Sequence, residues 1–289
     1  MPELPEVETV VRGLRCAGIC GLEIRATRVE WARTLAGLSP VAFDTAMRGV
    51  SIRCITRRAK YIVMTLSSGQ TVLVHLRMTG SLRVVHADAP MNPYERVALI
   101  FADGRALHFR DTRKFGRWYL LDDPETMLGR LGPEPLEDTF TPEQFVDMLR
   151  KHRRMLKPLL LDQSFVAGLG NIYVDEALFA AGLHPCRIAS TIKTVRARRL
   201  HQCIQAVLRL GIERMGTSLG AGATHFYSVA GRRGRNQDAL QVFRRDGEAC
   251  PVCGTTIRRI VVGQRSTHIC TRCQPPPRIR APSKTLDAT

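Results

Sequence analysis

Residues 61–76 have the sequence YIVMTL-SSGQ-TVLVHL, and this stretch decides the fold of the first half of the chain. Two apolar runs enclose a polar, glycine-containing segment, which is the pattern of a β-hairpin. Residues 97–110 repeat this pattern around the turn Ala102-Asp103-Gly104-Arg105. Because turn signals separate short apolar runs throughout residues 52–121, we predict an antiparallel β-sandwich or barrel there.

Helical patterns lie on both sides of this region. Val7, Val10, Val11 and Leu14 recur at the spacing of one helix face, and Pro5 stands near the start of that helix, where proline is tolerated. Beyond residue 140 the sequence predicts three helices: one with Thr141 as N-cap, one over residues 172–181 and one over residues 194–214. The predicted fold class is therefore α+β.

Three further segments have the composition of loops. The Gly- and Pro-rich residues 129–135 are interpreted as a linker, and the basic, Gly-rich residues 216–235 as a mobile loop. Residues 274–289 are polar and proline-rich, which predicts a disordered tail.

The charge balance favours a polyanionic partner. The 289 residues include 43 Lys and Arg against 26 Asp and Glu, which gives a net charge of +17. A field of that sign attracts nucleic acid, although a basic soluble enzyme has the same property. No apolar run approaches the ~18 residues of a membrane span, and the acidic, proline-rich start lacks the pattern of a secretory signal. We therefore expect a cytoplasmic protein that binds no membrane.

Four of the nine cysteines form a metal-ligand pattern. Cys250 and Cys253, then Cys270 and Cys273, make two Cys-x2-Cys pairs separated by sixteen residues, within the spacing of structural zinc sites. Four thiolates complete a tetrahedral shell and leave no open position for catalysis. We therefore predict one structural Zn²⁺, which stabilises a segment too small to form its own core.

Pro2 can supply a nucleophile once Met1 is removed, because removal exposes a secondary amine. Attack of that amine on a sugar aldehyde carbon gives a cationic iminium, the electron sink of Schiff-base catalysis. The reference pKa of an α-amino group is ~8. The positive end of the following helix lowers the pKa of this amine, whereas the carboxylates of Glu3 and Glu6 raise it. Glu3 can act as a general acid or base, or simply complement the helix dipole.

Several motifs resemble those of the formamidopyrimidine-DNA glycosylase family, and they occur in the family's order over roughly residues 1–273. The motifs are residues 1–9 (MPELPEVET), 57–61 (RRAKY), 75–82 (HLRMTGSL), 111–116 (DTRKFG), 131–136 (LGPEPL), 168–173 (GLGNIY) and the cysteine pairs. This ordered set is far more specific than any one motif.

The resemblance implies a particular architecture and activity. Residues 1–130 would form an antiparallel β-sandwich flanked by helices, residues 131–235 a helix–two-turn–helix domain with a lesion-capping loop, and residues 236–273 a zinc-finger hairpin before the tail. The implied enzyme excises oxidised purines, such as 8-oxoguanine and formamidopyrimidines, from duplex DNA and cuts the abasic site by β- and δ-elimination. It would act as a monomer, associated with the bacterial nucleoid.

The resemblance also implies catalytic roles by position. Pro2 matches the Schiff-base nucleophile, and Glu3 matches the proton donor for glycosidic cleavage. Lys60 matches the basic residue tied to phosphate binding and β-elimination, and Arg265 matches the zinc-finger arginine linked to δ-elimination.

Further positions match DNA contacts. Met78, Arg113 and Phe115 match the residues that fill the hole left by an extruded nucleotide, which a glycosylase needs because it cannot reach its bond inside a stacked duplex. Asn171 matches a phosphate-binding asparagine at a helix start. The remaining candidates are Tyr94, His152, Arg153 and Lys157, the last three with a solvated helix end as the alternative.

Two alternatives remain open at this point. Asn236 stands where an aromatic residue is common in the family, and the loop over residues 216–235 is longer than usual, so the lesion preference is open. An endonuclease VIII-like enzyme for oxidised pyrimidines is the first alternative. The second is a catalytically silent DNA-binding zinc-finger protein, which the presence of Pro2, Glu3 and Lys60 disfavours.

Overall fold

The computed structural model describes residues 1–219 and 226–277 and divides into two compact units. The first unit contains Met1–Phe140, Leu161–Gly170 and Ile204–Leu240, and the second contains Thr141–Leu160, Asn171–Cys203 and the residues from Gln241 onward. The division expected from the sequence, with boundaries after residues 130, 235 and 273, stays a prediction, because the two units are defined by packing alone.

The first unit is built on two four-stranded antiparallel sheets with flanking helices. Its elements are α1 (Leu4–Cys16), β1 (Ile24–Val29), α2 (Pro40–Met47), β2 (Ile52–Arg58), β3 (Tyr61–Leu66), β4 (Thr71–His75), β5 (Ser81–His86), β6 (Glu95–Phe101), β7 (Arg105–Arg110), β8 (Arg117–Leu121) and α3 (Glu125–Leu128). The strand orders of the two sheets are β1-β6-β7-β5 and β2-β3-β4-β8. The predicted antiparallel sandwich is confirmed.

The hairpin over residues 61–76 pairs as its pattern predicts. Tyr61 lies opposite His75 and Thr65 opposite Thr71, so β3 and β4 meet across the turn over residues 67–70. Every residue of β4 is buried, which explains its continuous apolar run rather than an alternating one. The core cluster that includes Val74, Leu107 and Trp118 also receives the apolar face of α1.

The apolar patterns of the sequence do not predict β1 or α2. Ile24 is the single fully buried residue of β1, so the strand lacks the alternation that marks a half-buried strand. The helix α2 is only eight residues long and buries only Phe43 and Met47, although its N-cap, Ser39, is a standard start signal.

The second unit combines helices with one hairpin. Its elements are α4 (Pro142–Arg150), α5 (Leu156–Leu160), α6 (Asn171–Ala180), α7 (Thr194–Glu213), β9 (Arg258–Val262) and β10 (Arg265–Ile269), with α7 assigned to the first unit from Ile204 onward. The Thr141 hydroxyl accepts the Gln144 backbone N–H at 3.1 Å, so the predicted N-cap of α4 is confirmed. The three predicted helices are present with ends shifted by a residue or so.

A buried glutamate on α6 fixes the start of the cysteine-containing segment. Glu176 accepts the backbone N–H groups of Gln241, Val242 and Phe243 at 2.8, 3.0 and 2.8 Å. Burial raises the pKa of Glu176, although these three donors oppose the shift. The helix thereby supplies the hydrogen bonds that this segment cannot make alone.

The segments predicted as loops are more tightly packed than their composition indicates. In residues 129–135, Gly132 donates to the Gln163 carbonyl at 2.8 Å and Glu134 is buried, so the stretch packs within the first unit. Thr217 and Ser218 are buried at the start of the predicted mobile loop, whose residues 220–225 lie outside the described part.

The predicted tail does not begin at residue 274. Gln274 is buried and donates to the Leu183 carbonyl at 2.9 Å, which makes it part of the second unit. Residues 278–289 of that tail lie outside the described part. Among the described residues, no helix is both long and apolar enough to cross a membrane.

Candidate active site and DNA-binding residues

Pro2 and Glu3 lie at the start of α1, and both are buried. Glu3 is the N-cap of the helix, in an extended conformation. The Glu6 carboxylate accepts the backbone N–H of Glu3 at 2.8 Å, one arm of a capping box. The helix start therefore holds Pro2 and Glu3 in one fixed geometry.

The turn formed by Gly168, Leu169 and Gly170 contacts Glu3 and Lys60, two of the residues predicted to be catalytic. The Gly168 carbonyl accepts the backbone N–H of Leu4 at 3.1 Å, directly after Glu3. The Leu169 carbonyl accepts from Nζ of Lys60 at 2.6 Å. A Cβ on Gly170 would overlap the Glu3 carboxyl group, so only glycine permits this approach. We name these three residues the GLG turn.

Lys60 lies in the tight turn between β2 and β3, and it is buried although lysines usually are exposed. Glu134 holds this turn: it pairs with Arg57 at 2.8 Å and with Arg58 at 2.9 Å, and it accepts the backbone N–H of Ala59. Glu134 lies in one of the quoted motifs, but nothing in the sequence assigned it this positioning role.

His75 is a neutral neighbour of Lys60. Burial, together with the nearby charges of Arg77 and Lys60, lowers the pKa of His75 to about 3. Its Nδ1 accepts the backbone N–H of Arg77 at 3.0 Å, so this nitrogen carries no proton. His75 therefore acts as a hydrogen-bond acceptor at neutral pH and not as an acid.

The residues predicted to fill a vacated base position are at the surface, as a DNA contact requires. Met78 is 40% exposed and Phe115 is 48% exposed, which is unusual for side chains that normally pack in cores. The Arg113 guanidinium lies 4.7 Å from the centre of the Phe115 ring, in a cation–π contact. Tyr94 is also exposed, with the Arg110 guanidinium 5.4 Å from its ring centre.

The start of the predicted lesion-capping loop is hydrogen-bonded to α1. The Thr217 backbone N–H donates to Oε1 of Glu6 at 2.7 Å, and Oε2 of the same carboxylate holds Glu3. The Thr217 hydroxyl accepts from the Asn236 amide at 2.9 Å. One buried carboxylate thus joins Glu3 to the start of this loop, a connection that the sequence did not predict.

The four predicted metal ligands come together in the second unit. The ligand atoms of Cys250, Cys253, Cys270 and Cys273 all lie within 4.8 Å of one another. Their sulfurs are separated by 3.9 Å for Cys250 and Cys273, and by 3.4 Å for Cys253 and Cys270. Zn–S bonds of about 2.3 Å in a tetrahedron place sulfurs about 3.8 Å apart, so the cluster fits one structural Zn²⁺.

Asn171 begins α6 beside the hairpin of β9 and β10. Its Nδ2 donates to the Ser266 carbonyl at 2.9 Å, while its buried Oδ1 has no hydrogen-bond partner among the described residues. Arg259 donates to the Ser266 hydroxyl at 2.6 Å and lines the same 340 Å³ pocket as Asn171. Arg265, at the start of β10, is exposed to solvent.

The structure contradicts the predicted DNA contact at Lys157. This lysine is fully buried, with its ammonium group 2.6 Å from Asp175 and 3.0 Å from the Ser266 carbonyl. Asp175 also accepts the backbone N–H of His268 at 3.0 Å, so the pair fastens α6 to the hairpin. The basic run at 151–157 gave no sign that one member points inward. Two other residues of this run are predicted DNA contacts: His152, which is half-buried, and Arg153, which is exposed.

Three family models match most of the chain. The formamidopyrimidine-DNA glycosylase N-terminal domain matches residues 1–118, the formamidopyrimidine-DNA glycosylase H2TH domain matches residues 131–222, and a zinc finger found in FPG and IleRS matches residues 247–276. Relatives named formamidopyrimidine-DNA glycosylase include one from Protochlamydia amoebophila, 48% identical over 95% of this chain and 99% of its own. Another, from Herpetosiphon aurantiacus, is 44% identical over 95% and 100%.

Solved structures agree with these matches. A mutant FPG from Lactococcus lactis, in complex with a Fapy-dG containing DNA, has a TM-score of 0.88 and 35% identity, covering 95% of this chain and 100% of its own. The MutM (FPG) protein from Thermus thermophilus has a TM-score of 0.84 and 37% identity, covering 94% and 98%.

Proposed function

The chain belongs to the formamidopyrimidine-DNA glycosylase family, and from that premise we propose that it excises oxidised purines from duplex DNA and then cuts the abasic site. The observation that carries this proposal is the packing of Glu3 and Lys60 against the same GLG turn, directly beside Pro2. DNA complexes of the Lactococcus lactis relative, with Fapy-dG or an abasic site, give further support.

In the first step, the secondary amine of Pro2 attacks C1′ of the damaged nucleotide after Met1 has been removed. A C–N bond to Pro2 forms as the glycosidic bond breaks, and Glu3 supplies a proton in that step. Because both side chains are buried at one helix start, they approach the sugar from a common side in a fixed geometry, which reduces the entropic barrier.

In the second step, the C1′–O4′ bond of the sugar breaks and O4′ takes the proton that the Pro2 amine loses, which leaves a cationic iminium between Pro2 and C1′. This iminium withdraws electrons from the sugar. A proton leaves the neighbouring carbon and the 3′ phosphate departs, which is the β-elimination; the 5′ phosphate departs in the δ-elimination. We assign Lys60 to phosphate binding and the first elimination and Arg265 to the second. The hydrogen bond from Lys60 to the Leu169 carbonyl orients its ammonium group for this task.

Access to the sugar requires extrusion of the damaged nucleotide. Met78, Phe115 and Arg113 are exposed and suited to enter the duplex, with the apolar pair replacing lost stacking and arginine bonding the orphaned base. Tyr94, His152, Arg153 and Asn171 are assigned to the DNA backbone. The Oδ1 of Asn171 repels phosphate, so we assign its Nδ2 to that contact, which requires its bond to Ser266 to be shared or exchanged.

The zinc finger and the charge of the chain complete the proposal. Four cysteine thiolates hold Zn²⁺, which stabilises the hairpin that carries Arg265. A net charge of +17 favours association with DNA through release of counterions. We propose that the protein works as a monomer at the cytoplasmic nucleoid, since its substrate is chromosomal DNA.

Borohydride trapping tests the nucleophile and the substrate together. The matured protein is incubated with a duplex that contains one 8-oxoguanine opposite cytosine, reduced with borohydride and mapped by peptide analysis. We expect the cross-link on Pro2. The variant Pro2→Gly, which presents a primary amine of different reactivity, should trap far less DNA.

Pro5→Ala is the matched control, because it removes a proline from the same helix start and leaves the amine intact. Full trapping by Pro2→Gly would refute the assignment of Pro2. Trapping with an oxidised pyrimidine but not with 8-oxoguanine would instead favour an endonuclease VIII-like preference. Tight duplex binding without any cross-link would favour the catalytically silent alternative.

A further inference from the structure

The two loops that present Met78 and Phe115 rest on a common support at the end of β7. Gly80 closes the first loop and Gly116 closes the second, and a Cβ on either glycine would overlap the Phe109 ring. Both loops are therefore built to lie directly on Phe109, which is itself fully buried.

Asp111, two residues farther along, joins the two loops through one carboxylate. This side chain is completely buried. Its Oδ1 accepts the hydroxyl of Thr79 from the first loop and the backbone N–H of Arg113, at 3.2 Å, from the second. Its Oδ2 accepts the backbone N–H of Gly116 at 2.7 Å. The neighbours of Met78 and of Phe115 thus share a single acceptor group.

The backbone of Asp111 is held just as firmly. Its N–H donates to the Tyr94 carbonyl at 2.9 Å, and its carbonyl accepts from Nε of Arg96 at 2.9 Å. Each loop also contains a non-glycine residue with positive φ, Arg77 at 53° and Lys114 at 60°. Such conformations are costly and persist only where the surrounding contacts impose them. Asp111 supplies contacts of this kind to both loops.

We propose that Asp111 is a positioning residue for nucleotide extrusion: it couples the two loops so that Met78, Arg113 and Phe115 enter the duplex as one rigid group. This inference rests on the proposed void-filling function of those three residues. Asp111 itself is buried and touches no DNA. Its effect is confined to substrates in which a base must be flipped out of a stack.

The choice of substrate separates this role from a merely structural one. A single-stranded oligonucleotide with an abasic site has no opposite base and no duplex stack to repair, so its cleavage needs Pro2 and Lys60 but not the void-filling group. A duplex with 8-oxoguanine opposite cytosine needs both. Rates on the two substrates therefore report on positioning and on the intact active site separately.

The test variant is Asp111→Asn, which is nearly isosteric but offers an N–H₂ group where Oδ2 accepted from Gly116. We expect excision from the duplex to fall about 10- to 100-fold, the cost of a displacement of about 1 Å in a group that must be precisely placed. Cleavage of the single-stranded substrate should stay near the wild-type rate. Thr79→Val, which removes one donor and preserves shape, should give a smaller loss with the same substrate pattern.

Asp103→Asn is the matched control, since it makes the same change of charge in the turn before β7 and disturbs only an exposed contact with Arg105. Wild-type rates for this variant exclude a simple effect of charge on DNA affinity. Phe115→Ala is measured alongside, and the double variant Asp111→Asn/Phe115→Ala should be no slower than the slower single variant, because both changes impair one step.

The outcomes separate two failures. If Phe115→Ala excises the lesion at the wild-type rate, the proposed void-filling function is wrong. If Phe115→Ala is impaired but Asp111→Asn and Thr79→Val are not, the coupling role of Asp111 is overturned. Equal losses on both substrates for Asp111→Asn and Thr79→Val would also overturn it, because they would indicate general damage to the fold.

Discussion

Two buried lysines take different places in the fold. Lys60 donates to the Leu169 carbonyl of the GLG turn, which also contacts Glu3. Lys157 is buried against the Asp175 carboxylate, so it stabilises the join between α6 and the hairpin. The first lysine is held at the proposed active site, and the second is committed to the fold.

A second effect of a single residue is that His75 makes the free energy of unfolding depend on pH. Its folded-state pKa of about 3 lies below the ordinary value of 6.5, so the unfolded chain binds more protons as the pH falls below 6.5. The free energy of unfolding should therefore decrease between pH 6.5 and about 3. The slope for one such group is about 1.4 kcal/mol per pH unit, or about 2 kcal/mol by pH 5.

Urea unfolding at about pH 7.5 and about pH 5 checks this prediction. His75→Asn keeps an acceptor for the Arg77 N–H but does not titrate, so its stability should change by about 2 kcal/mol less between these pH values. His86→Asn, which alters an exposed histidine, is the control and should behave as wild type. Equal pH dependence in all three proteins would contradict the assignment to His75.

At the scale of elements, short turns matter more than the long helices and strands for the active site. The GLG turn contacts Glu3 and Lys60, and the turn between β2 and β3 carries Lys60. The loops after β4 and β7 carry Met78, Arg113 and Phe115, which are proposed to fill the void left by an extruded nucleotide. The sheets hold these turns at fixed positions, as rigid scaffolds commonly do for functional loops.

Gly170→Ala tests the GLG turn. A methyl group at this position overlaps the Glu3 carboxyl group and must displace it, so excision of 8-oxoguanine should fall about 100-fold in single-turnover kinetics. Gly69→Ala is the control, because the surroundings of Gly69 are open but its φ is +92°. This variant should lose about 1 kcal/mol of stability and keep the wild-type excision rate. Wild-type excision by Gly170→Ala would show that Glu3 tolerates displacement.

At the scale of the whole molecule, the first unit and the cysteine-containing segment differ in what stabilises them. The first unit has a large apolar core between two sheets, whereas the described residues of the cysteine-containing segment pack in a small cluster with Phe179, Val242 and Ile257. A segment with so little apolar surface depends on its metal for order.

Cys273→Ser should therefore remove zinc and DNA binding while most of the β-sheet signal survives. Elemental analysis, circular dichroism and a duplex-binding assay on the full chain measure these three properties. Cys16→Ser, which alters an exposed cysteine outside the cluster, should keep one zinc per chain and bind normally. Retained DNA binding in a zinc-free Cys273→Ser protein would refute the structural role of the metal.

The sequence by itself determined those features whose cause is local. The hairpin of β3 and β4, the buried face of α1 and the four zinc ligands each follow from spacings of a few residues, because strand, helix and metal geometry repeat at short, known intervals. Pro2, Glu3 and Lys60 could be nominated because they lie in an ordered set of motifs.

Only the tertiary structure decided how distant residues meet. Lys60 reaches a carbonyl 109 residues away, and Glu6 holds the backbone of a residue 211 positions away. Asp111 joins two loops, Glu134 holds the turn of Lys60, and Lys157 is turned inward to Asp175. No local pattern encodes such pairings, since each depends on where the packed core brings separate segments together and on which charges that packing excludes from water.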